Sequence, residues 1–192
     1  MAKLYFNYSS MNAGKTTMLL QSNHNYLEKG MNPEIYTSNL ENRYGSGEIV
    51  SRIGLKAKSN LFSSKTDIYI EIKKKLETNC VDCVLIDEAQ FLTKEQVAQL
   101  GMVVDNLDIP VLAFGIRTDF QGNLFNGSKY LLAWADNLKE IKTVCHCGRK
   151  ATMVLRLNDE GAVVIDGTQI EIGGEDRYTS VCRKHFYEKN IG

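Results

Sequence analysis

The ten residues from Tyr8 to Thr17, YSSMNAGKTT, constrain this chain more than any others. They follow an apolar run of strand length, LYFNY at 4–8, and close with Gly14-Lys15-Thr16 at the head of a segment of helical periodicity, 15–29. A Gly-Lys-Thr between a strand and a helix has a physical meaning. Backbone N–H groups and the positive end of the helix dipole converge on an anion, Lys15 adds a mobile positive charge, and the Thr16 hydroxyl can ligate Mg²⁺. Ser9 stands where the strict phosphate-loop pattern has its first glycine, so the loop must take a conformation tolerable to residues with a Cβ. Gly14 makes the tight approach. Alone, the tripeptide could also be a chance helix start.

The rest of the chain repeats the same alternation. Strand-length runs EIYTS (34–38), CVLIDE (83–88), PVLAFGI (110–116) and LKEIKTV (138–144) are separated by segments of helical periodicity at about 66–79, 93–106 and 127–135. Thr93 with Gln96 reads as a capping box, and Pro110 stands at a strand start, where its missing N–H costs least. These elements predict an α/β fold with a mostly parallel sheet covered by helices and ligands beyond the carboxyl ends of the strands. The stretch 39–60 is polar and glycine-punctuated without periodicity, so it reads as a mobile loop lining the site. After Val144 the texture changes to cysteines, short strands and Gly pairs. We therefore expect a nucleotide-binding domain at 1–144 and a small second domain at 145–192, a division that suits 192 residues.

CVLIDEAQF ends an apolar strand in Asp87-Glu88, which sets two carboxylates at the carboxyl end of the sheet. One would serve the Mg²⁺ shell and the other proton chemistry. An Asp-Glu pair after a strand can also be a solvated turn, but the phosphate loop upstream favours a nucleotide site.

Five cysteines bear on the redox setting. The N-terminus, MAKLYFNYSS, lacks the parts of a signal peptide, and nothing resembles a transmembrane span, so the expected address is the cytoplasm, with no membrane partner. Reduced thiols then read first as ligands or buried apolar groups. Cys145-x-Cys147 and Cys182-x-x-His185 supply three thiolates and an imidazole, a set suited to a closed structural zinc site; free thiols are the alternative, and His146 is another candidate ligand. Cys80-x-x-Cys83 has the better spacing, but Cys83 lies inside an apolar strand and reads as a small buried hydrophobe. His24 reads as a surface or packing residue. Lys plus Arg and Asp plus Glu are both 23, and this neutral balance argues against broad binding to nucleic acid.

An ATP site with a second carboxylate beside the metal-binding Asp serves either a motor ATPase, where Glu orients water, or a kinase, where it accepts a proton from a hydroxyl. DEAQ resembles a helicase box, yet the size, the charge and the lack of a second motor domain oppose a helicase. No guanine-recognition Asn-Lys-x-Asp occurs anywhere.

SSMNAGKTT, DEAQF, GIRTDFQGNLF, CHCGRKA and IGGEDRYTSVCRKH, in this order, resemble the type II thymidine kinases of bacterial cytoplasm from Met1 to residue 190. The resemblance implies transfer of the γ-phosphate of ATP to the 5′-hydroxyl of thymidine, or of deoxyuridine, for DNA synthesis by salvage. It further implies a RecA-like P-loop domain, a zinc-bound lobe with a lasso loop over the nucleoside, and a homotetramer.

Carried over, it places Ser9, Ser10, Met11, Asn12, Ala13, Gly14, Lys15 and Thr16 on the ATP phosphates, with Arg43 and Gln90 nearby. Asp87 would serve Mg²⁺ and Glu88 would be the general base. Met11, Phe91, Phe120 and Phe125 would wall the thymine pocket. The lasso spans 148–181, and its Gln169, Ile170, Glu171, Ile172, Gly173, Gly174 and Tyr178 would meet the nucleoside. Gln169 and Glu171 are more polar than nucleoside-facing positions suggest, and Ser9-Ser10-Met11 replaces the family's usual Gly-Pro-Met.

Overall fold

A computed structural model describes residues 1–40, 47–170 and 177–192. Arg43, Glu171, Ile172, Gly173 and Gly174 therefore lie outside the described residues.

The chain runs β1 (Leu4–Ser9), α1 (Lys15–Glu28), β2 (Pro33–Ser38), β3 (Glu48–Val50), β4 (Lys56–Lys58), β5 (Asn60–Phe62) and α2 (Ile68–Leu76). It continues through β6 (Cys83–Ile86), a 3₁₀ turn at Ala89–Phe91, α3 (Lys94–Leu107), β7 (Val111–Ile116), α4 (Asn126–Trp134) and β8 (Asn137–Glu140). The last part holds β9 (Thr143–Val144), β10 (Lys150–Ala151), β11 (Met153–Leu157), β12 (Val163–Val164), β13 (Tyr178–Val181) and α5 (Arg183–Glu188).

Six strands form one parallel sheet in the order β5-β2-β6-β7-β1-β8. The apolar runs are continuous because both faces are buried. On one face Val84 and Ile86 pack with Ile72 of α2, Leu100 of α3 and Leu131 of α4; on the other Cys83 and Leu85 pack with Leu19 and Leu20 of α1. Burying one such side chain contributes roughly 2 kcal/mol. The α3 start is a true capping box, with Thr93 Oγ1 accepting from the Gln96 N–H and Gln96 Oε1 from the Thr93 N–H. Pro110 precedes β7 and offers its carbonyl to the Val84 N–H at 2.9 Å.

Two boundaries differ from the sequence expectation. The stretch 39–60 is not one loop: β3 and β4 pair as an antiparallel hairpin, and β5 adds an edge strand beside β2. Three-residue strands are too short for alternation to register. The run 138–144 also breaks after Glu140, where the chain leaves β1 to make the β9-β10 ribbon.

The C-terminal part is built differently. A β12-β11-β13 antiparallel sheet, the β9-β10 ribbon and α5 enclose a small core of Cys145, Ala151, Leu155, Val181, Cys182 and Phe186.

Candidate functional site

Beyond the carboxyl end of β1 the chain turns through residues whose shapes explain the loop. Asn12 and Gly14 take positive φ, 59° and 83°, and Gly14 caps α1 without a side-chain hydrogen bond, which leaves the first-turn N–H groups for an anion. A Cβ at Gly14 would meet nothing within 4 Å, so its glycine answers to backbone angle and not to crowding. Ser9 fits because it still belongs to the strand. Its hydroxyl accepts from Lys15 Nζ at 3.1 Å and donates to the Ser10 carbonyl, which Lys15 Nζ also reaches at 3.1 Å. The position that lacks glycine thus steadies the lysine.

Asp87 and Glu88 follow β6, which is separated from β1 by β7. Two strand spacings amount to about 10 Å, yet Thr16 at the head of α1 spans the gap, its Oγ1 donating to Asp87 Oδ2 at 3.1 Å. Asp87 is 4% exposed. Burial first, and then the Glu88 carboxylate, push its carboxyl above the ordinary range, against the pull of the Glu88 N–H, Lys15 and Thr16. Glu88 itself is half-buried and sits at φ 52°, a left-handed conformation uncommon for a residue with a Cβ. Gln90 holds it there: its Nε2 donates to Glu88 Oε2, while its Oε1 accepts the Ile116 N–H at 3.1 Å. The turn is walled by two glycines, since a Cβ at Gly127 would lie 2.3 Å from the Ala89 carbonyl and one at Gly115 2.9 Å from Gln90 Oε1. Gln90, expected among the cofactor-binding residues, here bridges Glu88 and the end of β7.

The aromatic candidates divide. Phe91 and Phe125 meet edge to face, 6.0 Å between centroids, whereas Phe120 is covered by the Arg156 guanidinium at 3.8 Å. Met11 offers its carbonyl to Ser180 Oγ at 2.6 Å, a bond that links the phosphate loop to β13. Tyr178 is half-buried on β13 and Ile170 is exposed. Gln169 donates to Asp119 Oδ2 at 2.8 Å, which gives its polarity a structural partner.

Cys145, Cys147, Cys182 and His185 bring one ligand atom each to within 4.8 Å of one another. Cys147 Sγ lies 3.9 Å from Cys182 Sγ, and Cys145 Sγ 3.3 Å from His185 Nδ1. A tetrahedral zinc with these ligands has edges of about 3.8 Å between sulfurs and about 3.5 Å from sulfur to nitrogen, so the donor set fits the ion. Although burial opposes ionisation of Cys145, the backbone N–H groups of Cys147 and Cys182 and the His185 ring hold its thiol below the ordinary range. His146 stacks on His185 with 4.2 Å between centroids and stands outside the four. Cys80 is exposed and Cys83 buried, so that pair makes no ligand set, and His24 is a surface residue 3.3 Å from Glu28.

Arg156, Asp119 and Ser180 were missed from sequence. Asp119 lay within the quoted GIRTDFQGNLF motif, and a lone Arg in the apolar run MVLRL was the available signal for Arg156.

The model of the thymidine kinase family matches residues 2–186. Thymidine kinases of Pasteurella multocida and Haemophilus influenzae are each 60% identical over 189 residues, covering 98% of this chain and 98% of theirs. The thymidine kinase of Rhodopirellula baltica is 58% identical over 188 residues, 98% of this chain and 89% of its own. With the match running from the first strand through His185 of the Cys/His cluster, this chain belongs to the thymidine kinase family.

Proposed function

We propose that this protein transfers the γ-phosphoryl group of ATP to the 5′-hydroxyl of thymidine, and of deoxyuridine, giving the nucleoside monophosphate and ADP for DNA synthesis by salvage. The observation that carries the mechanism is the junction of Thr16, Asp87 and Glu88 at the head of the lysine-bearing loop. Ser9 to Thr16 cradle the phosphates, with Lys15 leaving its resting partners for phosphate oxygens and Arg43 near the transferred group. Asp87 and Thr16 would hold Mg²⁺, whose positive charge would offset the burial that pushes the Asp87 carboxyl above its usual range. Mg²⁺ supplies charge neutralisation along the phosphates. As the 5′-oxygen bonds to the γ-phosphorus, the bond to the β,γ-bridging oxygen breaks and Glu88 takes the hydroxyl proton.

As the resemblance implies, Phe91, Phe120 and Phe125 with Met11 wall the base, with Gln169, Ile170 and Tyr178 beside it among the described residues. Zinc on Cys145, Cys147, Cys182 and His185 fixes the lobe at 145–192, because backbone donors carry specificity only when their positions are fixed. Water exclusion there favours transfer over hydrolysis. As the family resemblance implies, the enzyme works as a cytoplasmic homotetramer, checked by light scattering. Among the described residues no helix is long and apolar enough to cross a membrane. The deciding experiment is formation of thymidine monophosphate from ATP and thymidine with Mg²⁺. Steady ATP hydrolysis indifferent to nucleoside would instead mark a motor or switch ATPase.

A further inference from the structure

Arg156 is 4% exposed and lies on β11, outside the phosphate loop, the carboxylate pair and the zinc ligands. A buried cation persists only where its partners offset the loss of water. Its partners here are specific. The guanidinium carbon stands 3.8 Å from the Phe120 ring centroid. Nη1 donates to the Thr168 carbonyl at 2.9 Å and Nη2 to the Asp166 carbonyl at 3.4 Å. Gly167 passes between those two carbonyls at φ 142°, so close that a Cβ would lie 2.3 Å from Nη2. One residue further, Gln169 is held by Asp119 Oδ2 at 2.8 Å, and the other oxygen of Asp119 accepts the Gln121 and Asn123 N–H groups.

The lasso segment 166–169 and the aromatic loop around Phe120 are thus joined by one buried cation and by the Gln169 amide, which donates to Asp119 Oδ2 and to the Leu124 carbonyl. We propose that Arg156 is a positioning residue for the nucleoside: it fixes the Asp166 and Thr168 carbonyls against the Phe120 ring, so that lasso and aromatic wall meet the base as one rigid unit. The proposal rests on the thymidine kinase reading and on Phe120 lining the pocket; Arg156 itself touches no substrate. Only arginine combines a flat face for the ring with two separated donors for the carbonyls. Lysine at 156 offers neither.

The test is steady-state kinetics of Arg156→Met, Arg156→Lys and Gly167→Ala in the zinc-loaded enzyme. We expect KM for thymidine to rise about tenfold or more in both Arg156 variants. KM for ATP should stay within about twofold, with one zinc per chain retained. A merely structural role would move both KM values together with Tm. Gly167→Ala should raise KM for thymidine in the wild type, both through backbone strain at φ 142° and through its contact with Nη2, and should add less in Arg156→Met, where the second cause is gone and the first remains. An unchanged KM for thymidine in both Arg156 variants, or strict additivity with Gly167→Ala, overturns the proposal. If Arg156→Met does not fold, Arg156→Lys and Gly167→Ala carry the test. If the wild type forms no thymidine monophosphate, the kinase reading fails by itself. Amide hydrogen exchange over 163–170 then decides the positioning role: faster exchange in the variants supports it and unchanged exchange overturns it.

Discussion

The large N-terminal part of this molecule and its small C-terminal part are held together by opposite means. The phosphate loop and the Asp87-Glu88 turn stand on a six-stranded parallel sheet buried on both faces, where helices α1 to α4 supply the packing. The C-terminal part has a core of six buried residues, two of which, Cys145 and Cys182, are candidate zinc ligands. So small a core orders little by apolar burial alone. A site at the ends of a buried sheet can rely on the packing of that sheet, whereas a part with so small a core gains from local staples, here the four Cys/His donors that fit a metal and the buried Arg156.

The sharpest way to break the comparison is to alter each half separately. Glu88→Gln keeps the oxygen that Gln90 grips and removes only the proton acceptor, so kcat should fall by about 10²- to 10⁴-fold while nucleotide affinity is retained. Stopped-flow or steady-state assay with parallel calorimetry of nucleotide binding checks it; normal kcat would take the base role from Glu88. Next in size is loss of the metal. The double variant Cys145→Ser, Cys182→Ser should bind no zinc by elemental analysis and lose activity on the order of 100-fold. Its affinity for an ATP analogue should change much less, because the phosphate loop belongs to the sheet. A metal-free variant with full activity would erase the proposed contrast.

A smaller effect sharpens the sheet side. The methyl of Gly127→Ala would press on the Ala89 carbonyl from 2.3 Å, and the turn that carries Glu88 must shift. We expect a stability loss of about 2 kcal/mol in denaturant titration and a drop in kcat of about tenfold. Unaltered stability and kcat would show that the turn yields freely. Smallest of all is thiol chemistry. Burial pushes the Cys83 thiol up to about 11, so in the folded, zinc-loaded protein a haloacetamide should label Cys80 and leave Cys83 intact. Because the folded value lies above the ordinary thiol value, Cys83 contributes stability below about pH 9 that is lost as pH rises towards 11. Labelling of both at neutral pH, read by mass spectrometry of peptides, would count against rigid burial of β6.

Much of this was legible in advance because the signals were local. A Gly-Lys-Thr after an apolar strand, a capping box at Thr93 and the Cys-x-Cys with Cys-x-x-His pairs are short patterns with a physical cause inside a few residues. The strands β3, β4 and β5 escaped because three residues carry no period, and β5 is a strand only by virtue of β2 beside it. Gln90 was read as a phosphate neighbour, whereas its bonds to Glu88 and Ile116 come from two different strand ends meeting in space. Arg156 was invisible for the same reason: a charge inside MVLRL states that a partner exists without naming Phe120, Asp166 or Thr168.

Side-chain type at fixed short spacing encodes the α/β alternation, the Gly-Lys-Thr loop, the carboxylate pair and the four Cys/His donors that fit a metal. Tertiary structure alone decided that Thr16 reaches Asp87 across an intervening strand, that Ser9 steadies Lys15, and that Arg156 joins Phe120 to the lasso. Those contacts depend on strand order and on close approach between segments far apart in the chain, and no local propensity encodes either.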